Sequence, residues 1–467
     1  MTGGAGAAQA KRFSFSAASL YPGFKPGRNF YVARCESGRL RIRVRARGGV
    51  LSRVAGGRGR MGSYRTAVRV EPGHDFRIRV GKGRRADDYQ VRCLPDGFPG
   101  WRFERLRRFP DGLFVLGSRA KPGHPPYVAI FDHDGVPRWW YRSKTRAINA
   151  QVLRAGTVVW SRAYGDGYGR DPRQAQEVHT LSGRLVRLIR TKGSINDPHE
   201  LFEEPNGNVL LQSYVPAAPV DLRAHGGPQR GGIVFPRLQE QTARGRVIDT
   251  LNLRNRLTIN ETNERWWNPI LRNPRPGPRG IRVFDVIHTN SIEPWGKQLV
   301  VSTRHTDAVY GLNRRTGAIL WKLGGEVTPR SLTVVGDPEP ERQLFGGQHD
   351  ARIYGKNVLT IFDNSQDRPR PPRGVLYRLD LEARTATYVG QLVDRKAKRG
   401  NCCGSMRAIP GGWLVGFGDT TLVTGFTKKG KVAFRLNWGN SYRAMPVKRG
   451  HLTLRELNRG LERMEGR

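Results

Sequence analysis

Three histidines stand at the same place in three consecutive repeats of the chain, directly before a strand-like segment. His199 lies in DPHELF, His288 in IHTNSI and His349 in GQHDARI. The equivalent place holds Asn149 in the preceding repeat and the pair Cys402–Cys403 in the following one. A single histidine at a strand end is most often a structural hydrogen-bonding residue. Three in equivalent positions are better explained as one shared site.

Three converging imidazoles suit two kinds of chemistry. Three histidine ligands with an open position form a catalytic zinc site, and imidazole also acts as a nucleophile, acid or base near neutral pH. Arg304 follows one strand after His288, and Asn290 lies two residues from that histidine. A guanidinium opposes a divalent cation but pairs well with an oxyanion. The sequence therefore predicts an anion-binding catalytic site of His199, His288, His349, Arg304 and Asn290, with no metal and no cofactor.

The elements that must position these residues are six copies of one unit. Each copy has a glycine turn, an apolar strand-like run, a variable gap and a second polar turn before another strand. Short strands rich in Val, Ile, Leu and aromatics, in units of roughly 40 to 90 residues, are typical of propeller blades. The apolar runs are PDGLFVLG (110–117), AGTVVW (155–160), NGNVLLQ (206–212), WGKQLVVS (295–302), YGKNVLTIF (354–362) and PGGWLVGF (410–417).

The predicted fold is all-β, with a six-bladed β-propeller over residues 98–447 and a small N-terminal β-sandwich over residues 12–97. In the propeller, the residues that enter each innermost strand face one channel, so the three histidines should converge there. In the N-terminal segment, LRIRVRARG and HDFRIRVG alternate apolar and basic residues, the pattern of half-exposed strands. Residues 448–467 form a predicted tail with a helix-like stretch. Residues 213–236 and 254–283, rich in Pro, Gly, Arg and Asn, are predicted as long loops.

The formal net charge of +42 raises the question of a nucleic-acid partner. The basic residues are spread along the whole chain, and no zinc-finger, RNP-like or helix-turn-helix pattern is present. Nucleic acid is therefore not predicted as a partner, whereas the positive field favours anionic small substrates. No apolar run approaches 18 residues, so no membrane span is predicted.

The four cysteines leave several states open. Cys35 and Cys93 end two similar strand-like segments, which is compatible with a disulfide and with two reduced, buried thiols. The pair Cys402–Cys403 is compatible with a vicinal disulfide, a reduced pair or a structural turn. The N-terminal segment has no apolar core of a secretory signal, which favours the cytoplasm if this start is the true one.

Four segments resemble the arylsulfotransferase (arylsulfate sulfotransferase) family. They cover most of residues 195–446, whereas the first two repeats match loosely. The resemblance implies a six-bladed propeller preceded by a β-domain, often located outside the cytoplasm. It also implies transfer of a sulfuryl group from a phenolic sulfate ester to a phenol, without a nucleotide sulfate donor. The segments are DPHE, VIHTNSIEPWGKQLVVSTRHTDAVYGLNRRTGAILWKLGG, FGGQHDARIYGKNVLTIFDN and NCCGSMRAIPGGWLVGFGD.

The same resemblance implies a role for each predicted site residue. His349 is the nucleophile that becomes a transient sulfohistidine; His288, Asn290 and Arg304 hold the sulfate oxygens. His199 acts on the phenol oxygen as acid or base, and ping-pong kinetics follow. The partners are thus a small phenolic sulfate and a phenol acceptor, whose identities the sequence does not specify, and it does not specify the oligomeric state.

Two other functions compete with this one. The first is a non-catalytic propeller used as a binding module, whose binding would survive replacement of His349. The second is a quinoprotein-type dehydrogenase, because RTGAILWKLGG resembles the glycine-to-tryptophan docking element of those propellers. The complete element occurs once in this chain, whereas those enzymes repeat it in most blades.

Overall fold

In the computed structural model of the protein, the described residues are 12–118, 125–164, 171–217, 219–276, 282–439 and 441–466. Strands dominate this part of the chain and form eight sheets. Two of the sheets build an N-terminal unit, and the other six build a ring.

The N-terminal unit is a β-sandwich that encloses an apolar core. On its strand Arg39–Ala46, Leu40, Ile42 and Val44 are buried while the arginines between them are exposed, so the period-two pattern faces the core as predicted. A disulfide joins Cys35 to Cys93 across neighbouring strands. One sheet has the order β1 (Phe13–Ser16), β3 (Arg39–Ala46), β6 (Tyr64–Arg69), and the other β2 (Phe30–Ala33), β8 (Asp87–Cys93), β7 (Asp75–Val80), β4 (Leu51–Val54), β5 (Arg60–Met61).

Six further sheets are the blades of a propeller. From the inside outward, the first blade contains β36 (Ser441–Pro446), β10 (Leu113–Ser118), β11 (Tyr127–Asp132) and β12 (Pro137–Arg142). The second blade contains β13 (Arg146–Val152), β14 (Val158–Ala163), β15 (Ala175–His179) and β16 (Leu185–Ile189). The third blade contains β17 (Asn196–Glu203), β18 (Val209–Pro216), β19 (Gly232–Gln241) and β20 (Val247–Asn252), with β22 (Arg282–Asp285) and β21 (Arg275–Pro276) also joined through β19. The fourth blade contains β23 (Thr289–Trp295), β24 (Gln298–Thr303), β25 (Ala308–Asn313) and β26 (Ile319–Gly324). The fifth blade contains β28 (His349–Tyr354), β29 (Val358–Asp363), β30 (Arg373–Asp380), β31 (Thr385–Leu392) and β27 (Thr333–Val335). The sixth blade contains β32 (Ser405–Ile409), β33 (Gly412–Gly416), β34 (Leu422–Thr427), β35 (Val432–Trp438) and β9 (Trp101–Arg105).

The innermost strands contact one another in a closed cycle, from β36 through β13, β17, β23, β28 and β32 back to β36. This cycle confirms the six-bladed propeller. The ring is closed at two places. β9 adds the outermost strand of the sixth blade, with Trp101 opposite Trp438, and β36 adds the innermost strand of the first blade, with Met445 opposite Val115.

The glycine-turn runs found in the sequence are the second strands of the blades and not the first. In five blades, the innermost strand is the segment directly in front of that run. In the first blade it comes from residues 441–446, more than 300 residues away along the chain. Neighbouring antiparallel strands share one period, so the pattern alone does not identify the strand that lies at the axis.

The two segments predicted as long loops contain regular structure. β18 and β19 extend into residues 213–236, and α1 (Glu264–Arg272) lies within residues 254–283. Asn263 caps α1, and Trp266, Trp267 and Ile270 are buried on one face of it. The prediction was wrong here because the composition and Pro269 suggested irregular structure, whereas burial of two tryptophans stabilises this short helix.

A second helix, α2 (Leu454–Met464), follows the last strand. Thr453 and Glu456 form a capping box at its start, and Leu457 and Leu461 are buried in the core of the first blade. Within the described ranges, neither this helix nor any other has the length and apolar character needed to cross a membrane.

Candidate active site

Bulges at the start of the innermost strands aim side chains into the channel mouth. The pairing of each innermost strand with its neighbour shifts register in four consecutive blades. Asn149, His288 and Asp350 take positive φ angles of 52°, 54° and 58° at or beside these shifts. A bulge bends its strand and redirects the adjacent side chain. The repeat therefore presents a side chain to the channel at equivalent positions.

The channel mouth is a cavity of about 760 Å³. His199, His288, Arg304 and His349 all line it, so the structure brings four of the five predicted site residues together. The rings of His199 and His288 lie 4.9 Å apart, centre to centre. Its other lining residues include Arg146, Trp266, Arg275, Asp285, His305, Gln366, Arg399, Asn401, Cys402, Cys403 and Tyr442.

Two of the histidines are oriented by a carboxylate that stands just before them in the chain. Nδ1 of His199 lies 2.6 Å from Oδ1 of Asp197, and Nδ1 of His288 lies 2.5 Å from Oδ2 of Asp285. Each carboxylate also accepts the backbone N–H of its histidine. These bonds place the proton on Nδ1 and leave Nε2 for the cavity, the same logic by which a carboxylate orients a catalytic imidazole.

His349 is held differently, by neutral groups. Its Nδ1–H donates to Oδ1 of Asn364 and to the carbonyl oxygen of Gly347, each at 2.9 Å. Its Nε2 accepts the backbone N–H of Cys403 at 3.1 Å, so the lone pair lies on Nε2. Burial, helped by the charges of Arg304 and His288, holds the pKa of His349 well below its usual value. At neutral pH the ring is a neutral imidazole with its lone pair on the cavity side.

Arg304 supplies the positive charge. Its guanidinium stacks on Trp266 of α1 with 4.2 Å from Cζ to the ring centre. It donates to Nε2 of His305 at 3.0 Å, to Oε1 of Gln366 at 3.0 Å and to the carbonyl oxygen of Asn401 at 2.8 Å. Burial, and then Arg265, lower the pKa of Arg304 to about 10, so it remains cationic at neutral pH. Three of its five N–H groups are used, which leaves donors for an oxyanion.

His305 and Tyr442 are among the site residues that escaped the sequence prediction. His305, next to Arg304, donates from Nδ1 to the carbonyl oxygen of Asp285 at 2.6 Å and is kept neutral by burial, which lowers its pKa strongly. Tyr442 arrives on β36, and its ring meets those of His199 and His349 at 5.6 and 6.3 Å. The Tyr442 hydroxyl is buried without a hydrogen-bond partner among the described residues. An aspartate two or three positions before a histidine is a local sequence signal for the carboxylate-oriented histidines described above. No such local signal points to Tyr442.

Asn290 lies behind the cavity wall and not in its lining. The side chain is fully buried and donates from Nδ2 to the carbonyl oxygen of Gln348 at 2.8 Å. The backbone carbonyl oxygen of Asn290 accepts from Arg443. Arg443 belongs to a buried ionic network that closes the channel beneath the site, with Glu200, Asp350, Arg352 and Arg407. Through its hydrogen bonds to Gln348 and Arg443, Asn290 connects the wall of the cavity to this network.

The loop of Cys402 and Cys403 forms another wall. The two adjacent cysteines are joined by a vicinal disulfide.

One group of side chains in the cavity could be considered as a metal site. Asp285, His288 and His305 place possible metal-binding atoms within 4.8 Å of one another. These atoms already bond to each other or to Arg304, whose guanidinium lies 3.0 Å from His305 and opposes a divalent cation there. The donor set fits an oxyanion better than a metal ion.

The chain is similar to several proteins. A family model described as arylsulfotransferase (ASST) matches residues 173–439, more than half of the chain. No curated protein matches it. A solved structure from Bacteroides caccae, titled as a protein of unknown function, shares 15% identity at a TM-score of 0.43, over 73% of this chain and all of that one. The periplasmic gluconolactonase of Pseudomonas aeruginosa shares 12% identity at a TM-score of 0.40, over 72% of this chain and 99% of that one. Likenesses this distant say nothing about activity.

Proposed function

The chain belongs to the arylsulfotransferase family, and on that premise we propose that it moves a sulfuryl group from a phenolic sulfate ester to a phenol through a sulfohistidine at His349. The single observation that carries the proposal is the state of His349. It is a neutral imidazole with its lone pair on Nε2, in a cavity that also holds the guanidinium of Arg304. A neutral nitrogen nucleophile beside a fixed cation suits attack on an anionic ester.

In the first step, Nε2 of His349 attacks the sulfur of the ester. The N–S bond forms while the bond from sulfur to the phenol oxygen breaks. His199 begins this step as an imidazolium, with its Nδ1–H bonded to Asp197, and gives its Nε2 proton to the departing oxygen. The sulfated ring keeps its proton on Nδ1 and becomes positive. Asn364 and Gly347, which accept from Nδ1–H, stabilise that charge. This arrangement makes the histidine a good leaving group for the second step.

In the second step, a phenol takes the place of the first product. His199 removes its proton, the phenol oxygen attacks the sulfur, and the N–S bond breaks to return the lone pair to Nε2. Asp197 holds His199 for both transfers by fixing its Nδ1–H. Arg304 binds the equatorial oxygens, where charge concentrates in a sulfuryl transfer that resembles phosphoryl transfer. His288, whose Nδ1–H is held by Asp285, lines the cavity beside His199.

The test is release of 4-nitrophenol from 4-nitrophenyl sulfate, measured with and without phenol. We expect release that depends on phenol, no need for a nucleotide sulfate, and parallel lines in double-reciprocal plots of the two substrates, because the donor product leaves before the acceptor reacts. Release at the same rate without any phenol would mean transfer to water, a hydrolase. No release across a panel of aryl sulfates and phenols would refute the proposed reaction.

The pH profile gives a second prediction. Because the pKa of His349 lies well below its ordinary value of about 6.5, the reactive neutral form persists as pH falls from 8 to 6.5. We therefore expect kcat/KM for the donor to show no acidic limb over this range and to fall only at lower pH, where the ring of His349 becomes protonated. Initial rates in buffers of constant ionic strength measure this limb. An acidic limb at or above pH 6.5 would contradict the assignment of His349.

A further inference from the structure

A ring of three hydrogen bonds links the nucleophile to the vicinal disulfide. Nδ1–H of His349 donates to Oδ1 of Asn364, and Nδ2 of Asn364 donates to the carbonyl oxygen of Cys403 at 3.0 Å. The N–H of Cys403 closes the ring by donating to Nε2 of His349. The backbone of one residue, Cys403, thus sets both the tautomer and the orientation of the imidazole. The N–H is aimed at the atom that attacks in the proposed reaction.

We propose that the backbone N–H of Cys403, held in place by the Cys402–Cys403 disulfide, is a further hydrogen-bond donor to the sulfuryl group. This inference rests on the proposed function. Nε2 of a neutral imidazole has one lone pair, and the N–H of Cys403 bonds to it. When that lone pair bonds to sulfur, the N–H must find a new acceptor. The nearest one is an oxygen of the sulfuryl group now attached to Nε2.

Such a bond strengthens as the reaction proceeds, because the sulfuryl oxygens reach the N–H only when the N–S bond forms. An interaction made only in the transition state raises kcat and leaves the KM of the donor almost unchanged. In the transition state, the new bond from this N–H to a sulfuryl oxygen also offsets the free energy lost when the bond between the N–H and Nε2 breaks. The N–H of Cys403 therefore acts as an oxyanion donor of the kind that backbone amides supply in acyl transfer.

The disulfide keeps this peptide in place. Cys403 has a φ of 71°, a left-handed conformation that is unfavourable for a residue with a side chain. The ring that joins adjacent cysteines restricts the peptide between them to few conformations. The carbonyl oxygen of Cys402, which belongs to this same peptide, also accepts the N–H of Asp419, and the next peptide is anchored where the N–H of Gly404 donates to the carbonyl oxygen of Tyr442. Opening the disulfide should therefore remove one of the restraints on the peptide, so that its N–H loses its fixed direction, without unfolding the blade.

Reduction provides the test. A dithiol such as dithiothreitol gives two electrons and two protons to the disulfide, which becomes two thiols, while the dithiol becomes a cyclic disulfide. The protein used is C35S/C93S, in which the vicinal pair holds the only cysteines left of the four. Single-turnover release of 4-nitrophenol from 4-nitrophenyl sulfate is followed for the oxidised, the reduced and the reoxidised protein. C402S/C403S in the otherwise native chain repeats the comparison without a reductant.

We expect reduction to lower the single-turnover rate constant about 10-fold to 100-fold with little change in KM, and reoxidation to restore it. C402S/C403S should show the same loss and remain folded by circular dichroism. Full activity of both the reduced protein and C402S/C403S would overturn this inference while leaving the proposed function standing. An oxidised wild-type protein that transfers no sulfuryl group would overturn both. A loss expressed mainly in KM would assign the loop to binding and overturn the role in transfer.

Discussion

The H349A protein is expected to lose sulfuryl transfer by a factor of about 10⁴ or more, because it lacks the lone pair that attacks sulfur in the proposed reaction. Its neighbours Asn364 and Cys403 would keep their own contacts with each other, so the loss should not come from unfolding. Steady-state release of 4-nitrophenol measures the effect. Intact-mass analysis of wild-type protein quenched with donor alone should find one added sulfuryl group, located on His349 by peptide mapping.

The matched control is H179Q. His179 is also buried, in the second blade, where it bonds to Glu177 and Gly183 and stacks on Trp160 outside the cavity. Its replacement should leave transfer near the wild-type rate. Imidazole added to H349A should restore part of the activity by entering the space left by the ring. An H349A protein with wild-type turnover, or a stable sulfuryl group on another residue, would remove His349 from the mechanism.

The second large effect is expected at Arg304. R304Q should lower kcat about 10³-fold, in the range found when a fixed cation or oxyanion donor is removed from group transfer. R304K should recover little of this, because a point charge cannot reproduce both the stacking on Trp266 and the three hydrogen bonds of the guanidinium. R304Q should also move the acidic limb of the pH profile upward, since Arg304 is one cause of the lowered pKa of His349.

R314Q is the control for the loss of a half-buried, ion-paired arginine. Arg314 pairs with Glu204 and Glu240 away from the cavity, so its loss should affect thermal stability more than turnover. If R304Q and R314Q lower activity by the same factor, the effect of Arg304 is structural. If R304K equals wild type, charge alone is sufficient and the fork geometry of the guanidinium has no role.

The sequence was sufficient to predict the propeller and four members of the cavity because both depend on a local repeat. Each blade uses the same strand order, so His199, His288 and His349 fall at equivalent places whatever the loops between them do. Arg304 follows from the same register, since it comes directly after the strand paired with the one that His288 precedes. These relations extend over one or two neighbouring strands and are therefore visible in the sequence.

What the sequence did not predict depends on contacts between distant segments. Tyr442 enters the site because β36 pairs with β10 at the other end of the propeller, and no local pattern contains that pairing. Trp266 contacts Arg304 from helix α1, in a segment whose composition predicted a loop. Residues two apart in a regular strand point to the same side, which predicted Asn290 beside His288. The bulge at the start of β23 breaks this alternation and turns Asn290 into the wall.

The double closure of the ring has a consequence for how the protein is made. β36 is the last strand of the described chain to leave the ribosome, and it carries both Tyr442 and Arg443 into the channel. A nascent chain that has already produced all three histidines still lacks one wall of the site and the inner edge of its first blade. The site therefore becomes complete only when β36 docks, late in the synthesis of the chain. A chain interrupted between residues 349 and 441 would carry all three histidines without an assembled catalytic centre.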